Sequence, residues 1–396
     1  MSRTRLKYLY SVVDERAGAD RPPLLAVSIH LGVVPRSQVT DDLPRADDLS
    51  SYKVCRGGDI VVNRMRAFQG AIGLSATVGL VSPDYLVLRP NDSVAPYFLH
   101  HLLGSTWLVG EMTSRLRGIG GTDTGSVRTP RINAWDLGDI EVELPPLEEQ
   151  RAIAGFLDVE TARIDALIDK KRRLITLLDE RLEATIRRRL STLDCPRLPL
   201  KRFWSVVDCK HRTPTYADDG YPVVSPGDAT AGRLDLSRCH RFVSESDYRD
   251  LAAPPRRPMR GSIIYSRNAS IGVASYVDTD RPFCMGQDVC LINSPGQDQL
   301  FLTYVLNSIG VDQLDAEKIG STFSRINVSQ ILELEVPTPP VHQQRSISRE
   351  FDEASRSNAE VTSRLHRQIG LLEEKRGALI TAAVTGEVAV PGVAAA

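Results

Sequence analysis

Two patterns of hydrophobic and polar positions alternate along this chain. After Pro145-Pro146, apolar residues recur every three or four positions at Ile153, Leu157, Ile164, Leu167, Ile168, Leu174, Leu178 and Leu182, a spacing that lines one face of an α-helix. Proline suits the first helical turn, where its missing N–H has no partner to lose, and Glu148-Glu149 suit the positive end of the helix dipole. No Gly or Pro interrupts from Phe156 to Leu193, and Arg187-Arg188-Arg189 fit the other end of the dipole. A second segment repeats the pattern: Ile347, Phe351, Ala354, Asn358, Val361 and Leu365 alternate steps of four and three, and Ile369, Leu372 and Leu379 continue them. That is close to a heptad seam, and it should end near Thr385-Gly386, where glycine can take the left-handed cap conformation. Each segment of ~40 residues makes a helix of roughly 60 Å at about 1.5 Å per residue. Each has one apolar stripe, so each needs a partner: either each folds onto its own globule, or, as their matching lengths favour, the two pack against each other.

Ahead of each long helix the pattern is short and mixed. Strand-like runs fall at Asp59–Asn63 and Tyr85–Leu88, and again at Ser262–Tyr265 and Val289–Ile292. Short apolar helices are predicted over Pro96–Leu103 and Gln299–Leu306. These pairs are not accidental. Leu6-Lys7 with Ser11-Val12-Val13-Asp14 recurs as Leu200-Lys201 with Ser205-Val206-Val207-Asp208, an offset of 200 − 6 = 194. Arg131-Ile132-Asn133 recurs as Arg325-Ile326-Asn327, and Pro145-Pro146 with Gln150-Arg151 recurs as Pro339-Pro340 with Gln344-Arg345, at the same 194. In between, Gly58–Val61 aligns with Gly261–Ile264 and Phe98-Leu99 with Phe301-Leu302, at 203. A repeat this long is a duplicated domain with insertions in its middle. The expected fold class is α+β (mixed α/β): two similar globules separated by two long antiparallel helices forming a coiled coil, with pseudo-twofold symmetry. The expected boundaries are 1–145, a long helix in 146–195, 196–338, a second long helix in 339–388, and a flexible tail at 389–396.

Composition changes this picture little. The 396 residues are 42% hydrophobic and 25% charged, ordinary for a soluble protein. The N-terminus leads into no apolar run and no spanning segment is visible, which predicts a cytoplasmic location without membrane partners. The six cysteines form no C-x-x-C pair, and no histidine stands at zinc spacing. Charge is the notable quantity. Net charge is −1; residues 1–145 carry 16 basic and 16 acidic side chains, and residues 196–340 carry 16 and 17. A nucleic-acid binder of this composition must work through local patches.

The segment Leu144–Ala154, with Phe156-Leu157-Asp158 and Arg163–Ile168, resembles the central conserved helix of type I restriction-modification specificity subunits, and Leu379–Val388 resembles the end of their distal conserved helix. Ser28–Arg36, Gly58–Arg66 and Gln69–Gly73 are similar to one type of target-recognition domain; His211-Arg212-Thr213-Pro214 with Gly220-Tyr221-Pro222 is similar to another. His342-Gln343 departs from the family, which usually has acidic residues there. The resemblance implies a DNA-specificity subunit without catalysis of its own. Each recognition domain would read one half of a bipartite double-stranded DNA site. The helices would set the spacer and dock two modification (methyltransferase) subunits, and two restriction/translocase subunits would complete the complex. S-adenosylmethionine, ATP and Mg would then be bound by those partners, with no cofactor or metal on this chain.

Direct readout favours Arg on guanine and Asn or Gln on adenine, and phosphates take Lys, Arg, Ser and Thr. By residue type and position, the candidate DNA contacts are Arg64, Arg66, Gln69, Arg128 and Arg131 in the first half, and Lys210, His211, Arg212, Thr213, Arg267, Asn268, Lys318, Ser321 and Arg325 in the second. A P-loop is excluded by the absence of any Gly-Lys dipeptide, and no Asn-Pro-Pro-aromatic or Asp-Pro-Pro-aromatic methyltransferase tetrapeptide occurs. Two alternatives stand beside the DNA reader: a metal-dependent nuclease using Asp208 and Lys210, and a coiled-coil assembly adaptor with no DNA role.

Overall fold

The computed structural model describes residues 2–18, 22–29, 32–40, 49–116, 131–317 and 325–393. The chain divides into two compact units, Met1–Lys171 with His366–Ala396, and Arg172–Leu365. The first long helix, Leu147–Ser191, and the second, Val341–Val384, each contribute to both units.

The first unit is built on a four-stranded antiparallel sheet in the order Tyr10–Val13, Leu86–Pro90, Ile60–Val62, Ile72–Leu74. Alternation along these strands sends Ile60, Val62 and Leu88 into one core, which helices Pro96–Gly104 and Thr106–Ser114 close with Phe98, Leu99, Leu102 and Met112. Ile153 and Leu157 of the first long helix and Ile380, Ala383 and Val384 of the second belong to the same core. Two further strand pairs, Leu25–Ser28 with Gly32–Pro35 and Lys53–Cys55 with Gly79–Val81, are additions at its side. The expected flexible tail differs from the structure: Val390 is buried in this core and Val393 packs on it, because both are apolar and the helix ends beside them.

The second unit repeats the sheet as Ser205–Asp208, Val289–Asn293, Ile263–Ser266, Ala274–Tyr276, and adds Gly232–Arg233 at the edge, parallel to its neighbour. A separate four-stranded sheet, Tyr216–Ala217, Phe242–Val243, Tyr221–Val224, Cys284–Met285, is peculiar to this unit among the described residues. The drift from 194 to 203 thus marks real differences in the middle of the repeat. Phe301 takes the place of Phe98, fully buried in both cases.

The ends of the repeat are conserved in geometry to the residue. Ser2–Arg5 pairs antiparallel with Glu141–Leu144, Arg5 opposite Glu141. Arg197–Pro199 pairs with Glu335–Pro337, Pro199 opposite Glu335, each position shifted by 194. The Leu6 N–H then donates to the Ile140 carbonyl at 3.0 Å, and the Leu200 N–H to the Leu334 carbonyl at 2.8 Å.

Each long helix is fastened at its start by a buried glutamine. Gln150 donates from Nε2 to the carbonyls of Pro145 (2.9 Å) and Ser93 (3.2 Å), while its Oε1 accepts the Ala95 N–H at 2.8 Å. Gln344 donates to the Pro339 carbonyl (2.8 Å) and to Gln297 Oε1 (2.6 Å), and accepts the Asp298 N–H at 3.0 Å. Ala95 and Asp298 are the N-cap residues of the two matched apolar helices, so each glutamine satisfies an orphan donor of the neighbouring helix.

Antiparallel pairing of the helices is visible inside each unit. In the first, Arg376 Nε meets Asp165 Oδ1 at 2.9 Å and Lys171 Nζ donates to Gln368 Oε1 at 2.7 Å. In the second, Asn358 Nδ2 donates to Asp179 Oδ1 at 2.6 Å, and Ile186 and Leu190 share a core with Phe351 and Ile347. The seam differs from the heptad reading. Ala354 and Val361 are exposed, whereas Ser355 and Thr362 are half-buried, between Phe351, Leu365 and Ile369. Leu167 and Leu174 are exposed as well. Polar residues hold these seam positions because they have local partners: Ser355 takes part in a 3.3 Å contact with the Tyr304 hydroxyl and Thr362 bonds back to the Ala359 carbonyl at 3.1 Å.

Replacing Gln150 or Gln344 by Ala would strand a buried N-cap amide. Each substitution is expected to lower stability by about 1–3 kcal/mol, read as a shift in the urea midpoint. The exposed neighbour Arg151 supplies the control: Arg151→Ala should move the midpoint by less.

Candidate nucleic-acid interface

In both globules the central strand runs into the loop that carries the sequence-predicted contacts. After Ile263–Ser266 the chain enters Arg267-Asn268-Ala269, and the Arg267 carbonyl accepts the Ile326 N–H at 2.9 Å. After Ile60–Val62 it enters Asn63–Arg66, and the Arg64 carbonyl accepts the Ile132 N–H at 3.1 Å. The duplicated contact puts Arg131 and Arg325, both exposed, beside the ends of the matched strands.

The first globule keeps some of these cations inward and some outward. Arg64 is half-buried: its Nε donates to the Ile132 carbonyl at 3.0 Å and its terminal nitrogen to Asn133 Oδ1 at 2.7 Å. Its side chain closes the domain. Arg66 is exposed and Gln69 borders it in a tight turn that Gly70 completes at φ 84°. Arg66, Gln69 and Arg131 are therefore the outward set here.

The second globule is more densely bonded. Arg267 is 2% exposed and sits 2.5 Å from Asp208 Oδ1, with its Nε unpartnered. Read from the sequence as a DNA contact, it instead stands behind the surface and holds the Asp208 loop in place. Lys210 is paired with Asp250, and Arg212 with Asp247 and, through Nε at 3.4 Å, with Asp250. The Lys210 ammonium, followed by the Arg212 guanidinium, holds the Asp250 carboxyl below the usual carboxylate range. His211 Nε2 lies 3.2 Å from Asp208 Oδ2. Thr213 accepts a 2.8 Å hydrogen bond from Gln287 Nε2. Asn268 is engaged locally, donating to Asp288 Oδ2 at 3.2 Å and accepting the Ala269 N–H at 2.7 Å. Arg325 Nε meets Asp288 Oδ1 at 3.0 Å. Arg128, Lys318 and Ser321 lie outside the described residues.

Sequence reasoning missed the acidic partners. Asp247 and Asp250 lie on the short helix Glu245–Leu251, in the part of the chain with no counterpart in the first half, so the repeat carried no signal for them. Arg256 adds a further bond to this loop, its Nε donating to the Asp208 carbonyl at 3.0 Å. The first half has a smaller version of this arrangement: Asp14 pairs with Arg16 at 2.7 Å and with Lys53 at 3.3 Å.

Among the described residues, Asp208, Cys209 and His211 bring possible metal-ligand atoms within 4.8 Å of one another. The donor set fits a cation poorly. The Arg267 guanidinium already supplies positive charge at Asp208, and burial raises the Cys209 thiol pKa, disfavouring the thiolate a metal would need. The nuclease reading fails on the same geometry, because the Lys210 ammonium is directed to Asp250 and not to Asp208. No helix among the described residues is long and apolar enough to cross a membrane.

Substitutions should separate the two kinds of arginine. Arg131→Ala and Arg66→Ala are expected to leave the melting temperature unchanged and to weaken duplex binding with a shallower salt dependence. Arg267→Ala is expected to destabilise the fold by on the order of 3 kcal/mol, since it leaves Asp208 without its buried partner; urea unfolding alongside a salt titration of duplex binding reads both.

Residues 214–370 match the family model for the type I restriction modification DNA specificity domain. That segment contains Asn268, Arg267 and Arg325 with their acidic partner Asp288. None of the curated proteins matches the chain. In fold the chain is similar to a solved structure described as the structural basis underlying complex assembly and conformational transition of the type I R-M system, with TM-score 0.71 at 17% identity over 98% of both chains. It is also similar to the HsdS subunit from Thermoanaerobacter tengcongensis, with TM-score 0.51 at 18% identity over 98% of this chain and 97% of that one.

Proposed function

We propose that this chain, whose residues 214–370 match the model for the type I restriction modification DNA specificity domain, serves as the DNA-specificity subunit of such a system and performs no catalysis itself. Each globule reads one half of a split double-stranded site. The long helices fix the spacer between the halves and dock two modification subunits. Two restriction subunits complete the assembly, and S-adenosylmethionine, ATP and Mg are held by these partners.

The observation that carries the reading is the coincidence of the matched DNA specificity domain with the repeated strand-end loop. The loop with Arg325 beside it lies within residues 214–370, and its counterpart with Arg131 recurs in the first globule. A duplicated reader on one chain suits a target with two parts, and non-identical insertions allow the two half-sites to differ. Two readers reach one face of a duplex when they stand about a helical turn apart, roughly 34–36 Å, or a multiple of it.

Two outcomes test the proposal. The purified chain should neither cleave nor methylate DNA, and should direct N6-adenine methylation to a split motif once its modification partner is added, as read by methylation-sensitive sequencing. Methylation by the chain alone would refute a non-catalytic role, and a folded complex that leaves DNA unmodified would favour the assembly adaptor. Inserting one heptad into both long helices should lengthen the spacer between half-sites while leaving both half-sequences intact; an unchanged spacer removes the ruler.

A further inference from the structure

Among the described residues, two that are not glycine hold left-handed backbone, Ala269 at φ 55° and Asp288 at φ 64°. They meet at one place. The Arg267 N–H donates to the Asp288 carbonyl at 2.8 Å, Asn268 Nδ2 donates to the Asp288 carboxylate at 3.2 Å, and Arg325 Nε meets the same carboxylate at 3.0 Å. Left-handed backbone at alanine is unfavourable, and it persists only where surrounding bonds over-determine it; such positions gather at functional sites. Here the bonded turn does one visible thing. It fixes the residue before Asp288, Gln287, in an exposed position at the head of the strand Val289–Asn293.

The Gln287 side chain is steadied without being used up. Its one hydrogen bond among the described residues runs from Nε2 to the Thr213 hydroxyl at 2.8 Å. One amide hydrogen and the carbonyl oxygen remain for another molecule. The neighbouring groups are otherwise engaged: Arg267 is buried on Asp208, Asn268 is bonded at both ends of its amide, and Lys210 and Arg212 are paired with Asp250 and Asp247. A glutamine amide with one donor and one acceptor to offer matches the N6 and N7 edge of adenine in the major groove.

We propose that Gln287 is a base-reading side chain of the second globule, recognising adenine, with Thr213 and Asp288 as the residues that position it. The assignment rests on the reading that this globule binds duplex DNA, and the experiment separates the two. The full chain, assembled with its modification subunits, selects from a pool of random duplexes at fixed salt. Wild type, Gln287→Ala, Gln287→Glu and Thr213→Val are compared. The expected result for Gln287→Ala is a loss of about 5- to 100-fold in discrimination at a single adenine of one half-site, with the other positions and the salt slope unchanged. Gln287→Glu should move the preference at that position toward cytosine, whose N4 amine suits an acceptor, and Thr213→Val should weaken the same position to a smaller degree. Unchanged preferences in Gln287→Ala, or an even loss across all positions, overturns the assignment. A wild-type complex that selects no sequence overturns the underlying reading and takes the assignment with it.

Discussion

Where a globule passes into a long helix, every buried polar group has to find a partner, and both units are organised around meeting that demand. Two structural starts converge there, the long helix and the short apolar helix beside it, and each leaves amide hydrogens without partners. One side-chain amide with both a donor and an acceptor resolves the conflict. Gln150 and Gln344 bond the prolyl carbonyl behind them and the N-cap amide across from them. Both are buried to 1% exposure or less, so the angle between globule and helix is set by hydrogen bonds that water cannot replace. Around each, apolar residues of the same helix, Ile153 and Leu157 or Ile347 and Phe351, complete the core.

Much of this was legible in the sequence because it repeats. The matched Pro-Pro and Gln-Arg positions located both helix starts, and the strand runs at Asp59–Asn63 and Val289–Ile292 fall on Ile60–Val62 and Val289–Asn293. The expected cap at Gly386 is present at φ 78°. The helix seam was less legible. Hydrophobicity alone selected Ala354 and Val361, whereas Ser355 and Thr362, one position along, are the half-buried residues. A polar side chain that bonds its own helix or a neighbouring tyrosine can occupy a seam, and periodicity has no means of seeing that partner.

Residue type was a weaker guide to the candidate interface than to the fold. It gave Arg64 and Arg267 the same standing as Arg131 and Arg325, since all four are arginines at matched positions. Burial separates them: the first pair closes its domain from within, and the second pair remains exposed. The near-neutral charge, which leaves any nucleic-acid binding to local patches, also has a local explanation. Lys210, Arg212 and Arg325 are each accompanied by a carboxylate from elsewhere in the domain, Asp250, Asp247 and Asp288. Cations arranged in this way give little long-range attraction for any polyanion. Affinity then depends on a fit good enough to compete with those carboxylates, which favours discrimination over general stickiness.

The short strand pairs at the base of each globule have a consequence for how such a chain can change. Arg5 opposite Glu141, and Pro199 opposite Glu335, bring the first and last residues of a domain side by side. Whatever lies between them begins and ends at one spot, so added or lost segments alter the closed loop without displacing its two feet. Lengthening such a loop costs little, because closure entropy grows only with the logarithm of its length. Each globule is thus a replaceable insert on a fixed mount, free to diverge in its interior, as the additional sheet of the second unit already demonstrates.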